Sequence, residues 1–215
     1  VCSSDLIWLA RAQAAQTGWV LATPSAVLTA GDQPVSALLL LCAADSGHLA
    51  QLDNLARLAA RYVGQGPGQV CGFGLSNNEW EGDTSEWDGA FRIARRAGLP
   101  GVPHAGELRG PEHVAQVVEA LQPTRLGHGV RTVEDPRLLD QVVSAGIAFE
   151  VCPASNVQLG VYHSPSDVPL RRLLAAGAQV ALGADDPLLF LSRLTAQYET
   201  ARTAHGLSDA ELAAL

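Results

Sequence analysis

The chain has 215 residues, 47% of them hydrophobic, enough for one large domain with a real core. Fourteen basic residues against 22 acidic ones leave a net charge of −8, which argues against a general nucleic-acid or anionic-membrane surface. The longest apolar run, VSALLLLCAA at 35–44, is too short to span a bilayer and reads as a buried strand. Four scattered cysteines, Cys2, Cys42, Cys71 and Cys152, form no Cys-x-x-Cys pair, which argues against a zinc knuckle or a redox motif. They predict reduced, mostly buried thiols and a cytoplasmic setting. The chain holds no methionine, and VCSSDL at 1–6 has no structural logic. Residues 1–6 are expected to be a non-native leader on a chain short of its natural start, and 7–215 a single, partial domain.

In chain order, 7–16 predict a helix, 20–34 stay unassigned and 35–42 predict a strand. Leu52, Leu55, Ala56, Ala59 and Val63 share one face of a helix over 49–63. A strand at 69–75 follows. The next helix, 85–99, has Ser85 as its expected N-cap and Gly98 as its stop. Then come a strand at 100–106 and a helix at 110–123 opened by Pro111. A strand at 124–130 leads to a helix at 133–147 that ends at Gly146. A strand at 147–153, a helix at 167–178 and a strand at 179–185 follow. One long helix is expected over 187–206, and another opens at 207.

The strands are short and apolar without alternation, as parallel strands covered on both faces should be. This alternation fits a doubly wound sheet or part of a (β/α)8 barrel. A complete barrel takes roughly 250 residues, so a barrel here would lack its first strands.

Unusual polar groups stand at the end of each of the five strands from residue 69 onward: GLSNNE (74–79), HAGE (104–107), GHG (127–129), CPASN (152–156) and GADDP (183–187). Both α/β architectures build their sites at that end of the strands. Singly, each has a plain explanation: a core histidine, a turn, or Asp185 capping the helix after it. Together, two histidines and three carboxylates at one mouth point to chemistry. His48, His113, His163 and His205 lie on helices or loops and are expected to be solvated. Imidazole and carboxylate are the usual ligands of a catalytic zinc that activates water. His104 and Asp185 suit metal binding, His128 and Glu107 suit proton handling, and Asp186 is left for a substrate.

HAGE, RLGHGVR, EVCPASN and GADDP, in this order and spacing, resemble the adenosine deaminase family of zinc-dependent (β/α)8 hydrolases. The resemblance runs from about residue 70 to 198. It implies an incomplete (β/α)8 barrel with one Zn2+ per subunit, liganded by His104 and by Asp185, which also contacts the attacking hydroxide. Glu107 then donates a proton to purine N1, and His128 positions and helps deprotonate the attacking water. Asp186 hydrogen-bonds purine N7, and Gly106 and Asn77 contact the substrate. The implied reaction is hydrolytic deamination of a 6-aminopurine nucleoside, with no nucleic-acid or membrane partner.

The departures carry expectations of their own. The family's first-strand His-x-His pair, which supplies two further ligands, is absent here. The chain by itself is therefore expected to bind zinc weakly or not at all and to be inactive. GLSNNE puts Gly74 and Asn77 where many members have an Asp and a Gly. That brings in aminodeoxyfutalosine as an alternative substrate, while Gly127, where adenine deaminases tend to carry Asp, argues against adenine. A non-catalytic barrel relative that serves as a binding protein is the alternative from another class.

Overall fold

A computed structural model describes residues 38–43, 49–63, 70–76, 78–80 and 82–215. The expected leader, the helix at 7–16, the unassigned 20–34, His48 and Asn77 lie outside the described residues. These residues group into two compact units. One runs up to Pro103 and takes in Glu119–Pro123; the other holds His104–Val118 and Thr124–Leu215.

In the first unit, β1 (Leu38–Ala43) pairs in parallel with β2 (Val70–Ser76), and β2 pairs with the start of β3 (Gly101–Ala105). Helix α1 (Leu49–Arg61) joins β1 to β2, and α2 (Asp88–Arg96) joins β2 to β3. The predicted apolar stripe of α1 is buried at Leu52, Leu55, Ala56 and Ala59. Phe73 of β2 meets Phe91 of α2 edge-on, with ring centroids 5.1 Å apart. Ser85 is not the helix cap. Asp83 caps a short 3-10 turn, Thr84–Trp87, by accepting the Ser85 N–H at 2.8 Å, and α2 starts only afterwards. The carboxylate two residues upstream is the stronger acceptor for the first free amides.

In the second unit, the end of β3 pairs with β4 (Arg125–His128), β4 with β5 (Ala148–Val151), and β5 with β6 (Val180–Leu182), all in parallel. The helices are α3 (Pro111–Leu121), α4 (Pro136–Ser144), α5 (Pro153–Gln158), α6 (Leu170–Ala175), α7 (Leu194–His205) and α8 (Asp209–Leu212). Every strand bonds to the next one in sequence. A doubly wound sheet reverses its strand order at a switch point, so this monotonic order is that of an incomplete (β/α)8 barrel. No helix among the described residues is long and apolar enough to cross a membrane.

Two expectations fail here. The long helix over 187–206 begins only at Leu194. Asp185 and Leu191 hold positive φ (56° and 47°), and the Asp186 carbonyl accepts from Leu189 and Phe190 in an isolated turn. Ser192 Oγ closes the segment onto the Ala184 carbonyl at 2.5 Å. The apolar run that suggested helix instead leaves Leu188 95% and Leu191 90% exposed. His113, expected in solvent, is buried on α3, and His205 is half-buried. The CPASN stretch, weighed as a turn, opens α5, with Pro153 at its first position.

Candidate active site

The site is built within the second unit, at the C-terminal ends of its strands. His104 is the fourth residue of β3 and pairs in register with Gly127 of β4. A Cβ on Gly127 would lie 2.4 Å from His104 Cδ2 and 3.1 Å from its Nε2, so the glycine is the space the imidazole occupies. Gly106 holds φ +71°, which L side chains resist, and a Cβ there would strike Val114. The loops after β3 and β4 are bonded through their backbones. Gly129 N–H donates to the Ala105 carbonyl at 3.0 Å, and Arg131 N–H donates to the Gly106 carbonyl at 2.8 Å. The Arg131 guanidinium also donates to the Leu108 carbonyl, at 2.7 Å. The loops that carry Glu107 and His128 are thereby tied by two main-chain bonds and one arginine side chain.

His128 is the centre of the arrangement. Its Nδ1 lies 3.3 Å from Glu107 Oε1, and its Nε2 lies 3.8 Å from Asp185 Oδ2. Its ring meets that of His104 edge-on, at 4.8 Å between centroids. Asn156 reaches in from α5, with Nδ2 at 3.4 Å from Glu107 Oε1 and 3.3 Å from His128 Nδ1. Helix α5 is set by Gln197 of α7, whose buried Oε1 accepts the Ala154 N–H at 3.1 Å. No α-helix starts at Asp185, so its carboxylate is no helix cap; it meets an imidazole instead. That contact accounts for Asp185 at the end of an apolar strand, while Asp186 acts on His104 by its charge.

Burial dominates the electrostatics. It lowers His104 to about 4, against an opposing pull from the Asp186 charge. Burial, then the neighbouring His104, holds His128 well below the ordinary imidazole value. Both rings are therefore neutral at pH 7, the form that offers a lone pair to a metal. Burial also raises Asp185; the Ser155 hydroxyl opposes the rise and the Asp186 charge adds to it. Burial and the surrounding acids keep the Cys152 thiol protonated.

Two groups bring ligand atoms within 4.8 Å of one another: His104, Glu107 and His128, and His128, Cys152 and Asp185. His128 belongs to both. Neutral imidazole nitrogens beside a carboxylate disfavoured by its own burial form a donor set that a divalent cation would satisfy, and zinc takes such N and O ligands.

The structure brings together His104, Glu107, His128 and Asp185, with Asp186 close enough to act on His104 by its charge. Gly106 lies in the same loop as Glu107. Asn77 is outside the described residues. The sequence offers Asn156 only as a turn cap and Cys152 only as a buried thiol, whereas the structure sets both beside His128. Their available signal was position just past a strand, shared with the other four motifs.

The model of the family described as Adenosine deaminase matches residues 17–215. A Streptomyces coelicolor protein named provisionally as an adenosine/adenine deaminase is 54% identical over 187 residues, 87% of this chain and 54% of its own length. The adenine deaminase of Rhizobium leguminosarum bv. trifolii is 44% identical over 158 residues, 73% of this chain and 49% of its own length. The crystal structure of an adenine deaminase from Arthrobacter aurescens superposes with a TM-score of 0.74 at 28% identity, covering 83% of this chain and 53% of that one. A zinc-bound amidohydrolase structure, TM-score 0.70 at 23% identity, shares the fold. The chain thus spans about half the length of the curated relatives it matches. A match over nearly the whole chain, together with that site at the strand ends, makes it a member of the adenosine deaminase family.

Proposed function

We propose that the protein to which this chain belongs hydrolyses the exocyclic amine of a 6-aminopurine, in the first instance an adenosine-like nucleoside, and releases ammonia. The observation that carries this reading is His128, neutral and buried, with Glu107 at one ring nitrogen and Asp185 at the other. Glu107, 5% exposed, protonates ring nitrogen N1 and makes C6 electrophilic. His128 orients the attacking water and, with Asp185, moves its proton. Asp186 holds N7, and Gly106 and Asn77 contact the ring. Water adds at C6 and ammonia leaves. His104 and Asp185 would hold a zinc ion, which when bound lowers the pKa of a water to about 7.

Free adenine, disfavoured by Gly127, returns as a second reading because the Rhizobium and Arthrobacter relatives are named adenine deaminases. The test is a hybrid in which this chain replaces the matched segment of the Streptomyces coelicolor relative. Zinc-loaded hybrid is expected to release ammonia from adenosine or adenine, with aminodeoxyfutalosine as a third substrate to try. Glu107→Gln should lower kcat by about 100- to 10,000-fold. Purine binding without turnover would favour the non-catalytic barrel. Full turnover by Glu107→Gln would remove Glu107 from the chemistry.

A further inference from the structure

Asn156 is fully buried, and none of the roles above uses it. Its Nδ2 lies 3.4 Å from Glu107 Oε1 and 3.3 Å from His128 Nδ1, and those two atoms are themselves 3.3 Å apart. An amide nitrogen carries two hydrogens and accepts nothing, so toward both neighbours it can only donate. Two buried acceptors this close would repel each other, and the amide hydrogens between them offset that repulsion. Asn156 Oδ1 is buried without a partner among the described residues. Such an orphan is costly and calls for a reason. Turning the amide over would set its oxygen against the carboxylate oxygen and the Nδ1 lone pair. The orphaned carbonyl is the cost of keeping both hydrogens facing Glu107 and His128.

A neutral imidazole has a single N–H. If Nδ1 accepts from Asn156, that hydrogen sits on Nε2, the nitrogen 3.8 Å from Asp185 Oδ2. We propose that Asn156 is a positioning residue of the deaminase site: it fixes His128 as the Nε2–H tautomer and holds Glu107 beside Nδ1. This rests on the deaminase reading above and sharpens it. His128 then presents a donor that steadies the oxygen of the attacking water, and the proton that water gives up passes to the Asp185 carboxylate. Helix α5 supplies the rigidity, since the Asn156 carbonyl accepts from Val161 at 2.9 Å and Tyr162 at 3.2 Å while Gln197 pins its first turn.

Nitrogen-15 imidazole NMR on the 215-residue chain tests the tautomer without metal or substrate. His128 is expected to show an unprotonated Nδ1 and a protonated Nε2. Asn156→Asp puts an acceptor in place of the donor, and the hydrogen should move to Nδ1. The same tautomer in both proteins, or Nδ1–H in the unaltered chain, overturns the proposal. In the zinc-loaded hybrid, Asn156→Asp and Asn156→Ala should each lower kcat about 100-fold with KM within about threefold, because the residue acts through the two proton-handling groups. Unchanged kcat per folded, zinc-loaded molecule would make Asn156 merely structural and overturn it as well. A hybrid with unaltered sequence that releases no ammonia sinks the deaminase reading instead, and the NMR result still decides the tautomer.

Discussion

The ends of β4 and β6 place a functional side chain by the same backbone device and then diverge. His128 at φ +63° and Asp185 at φ +56° both sit in the left-handed region, which costs a non-glycine residue about 1–2 kcal/mol. After His128 the chain enters a 3-10 turn, Val130–Glu134, whose Val130, Thr132 and Val133 are buried, and the His128 side chain is 3% exposed. After Asp185 the chain runs out through Leu188 and Leu191, nearly fully exposed, and the Asp185 side chain is 18% exposed. Strain persists where the surroundings over-determine it. Packing holds it at β4. At β6 hydrogen bonds hold it instead: the Asp186 turn, Ser192 on the Ala184 carbonyl and Gln158 on the Phe190 carbonyl, with the Ser155 hydroxyl beside the Asp185 carboxylate.

Acid separates the two ends most strongly. His104 beside β4 titrates near 4 when folded and at 6.5 when unfolded. Between those values the unfolded chain binds more protons, so stability falls as pH drops through that window. The loss is roughly 3 kcal/mol, and His128 adds to it in the same direction. Asp185 works the other way: its raised folded value means the folded state takes up the proton first and gains stability on acidification. Denaturant titrations of the metal-free chain at pH 7.5 and 4.5 should show the net loss, and His104→Gln should reduce it. A pH-independent midpoint would mean the imidazoles are hydrated.

Packing at β4 predicts the next largest effect. Gly127→Ala drives a methyl into the His104 ring and should cost about 2 kcal/mol in a denaturant melt. A silent substitution would mean the ring is free to swing. At β6 the sign reverses. Asp185→Gly relieves the positive φ and a partly buried acid, and should raise the stability of the metal-free chain by about 1 kcal/mol, read as a higher Tm. Smallest of all, Leu188→Glu or Leu191→Glu should change stability by less than about 0.5 kcal/mol. A larger loss would show that these leucines are covered in solution.

Much of this was legible beforehand because strand ends mark themselves. Short apolar runs closed by His, Glu or Asp located β3, β4 and β6, and Gly98 and Gly146, both at positive φ, ended their helices as expected. The errors share a cause. The run from Pro187 to Phe190 is apolar enough to imply a helix face, but the positive φ of Asp185 and Leu191 breaks any continuous helix there. His113 looked like a surface residue because polarity alone does not report that α3 buries that side. Ser85 lost the cap to Asp83 because two good capping residues stood two apart and only the local backbone chose between them.

By itself, the order of residues determined which chemical groups stand at the ends of which strands, since the period and length of apolar runs encode burial locally. Only the tertiary structure decided which groups meet. Glu107, His128 and Asn156 are far apart along the chain, yet strand register and the seating of α5 bring their polar atoms within 3.4 Å. Local patterning carries no distance between such groups; register and close packing set it, and with it the direction in which a proton can move.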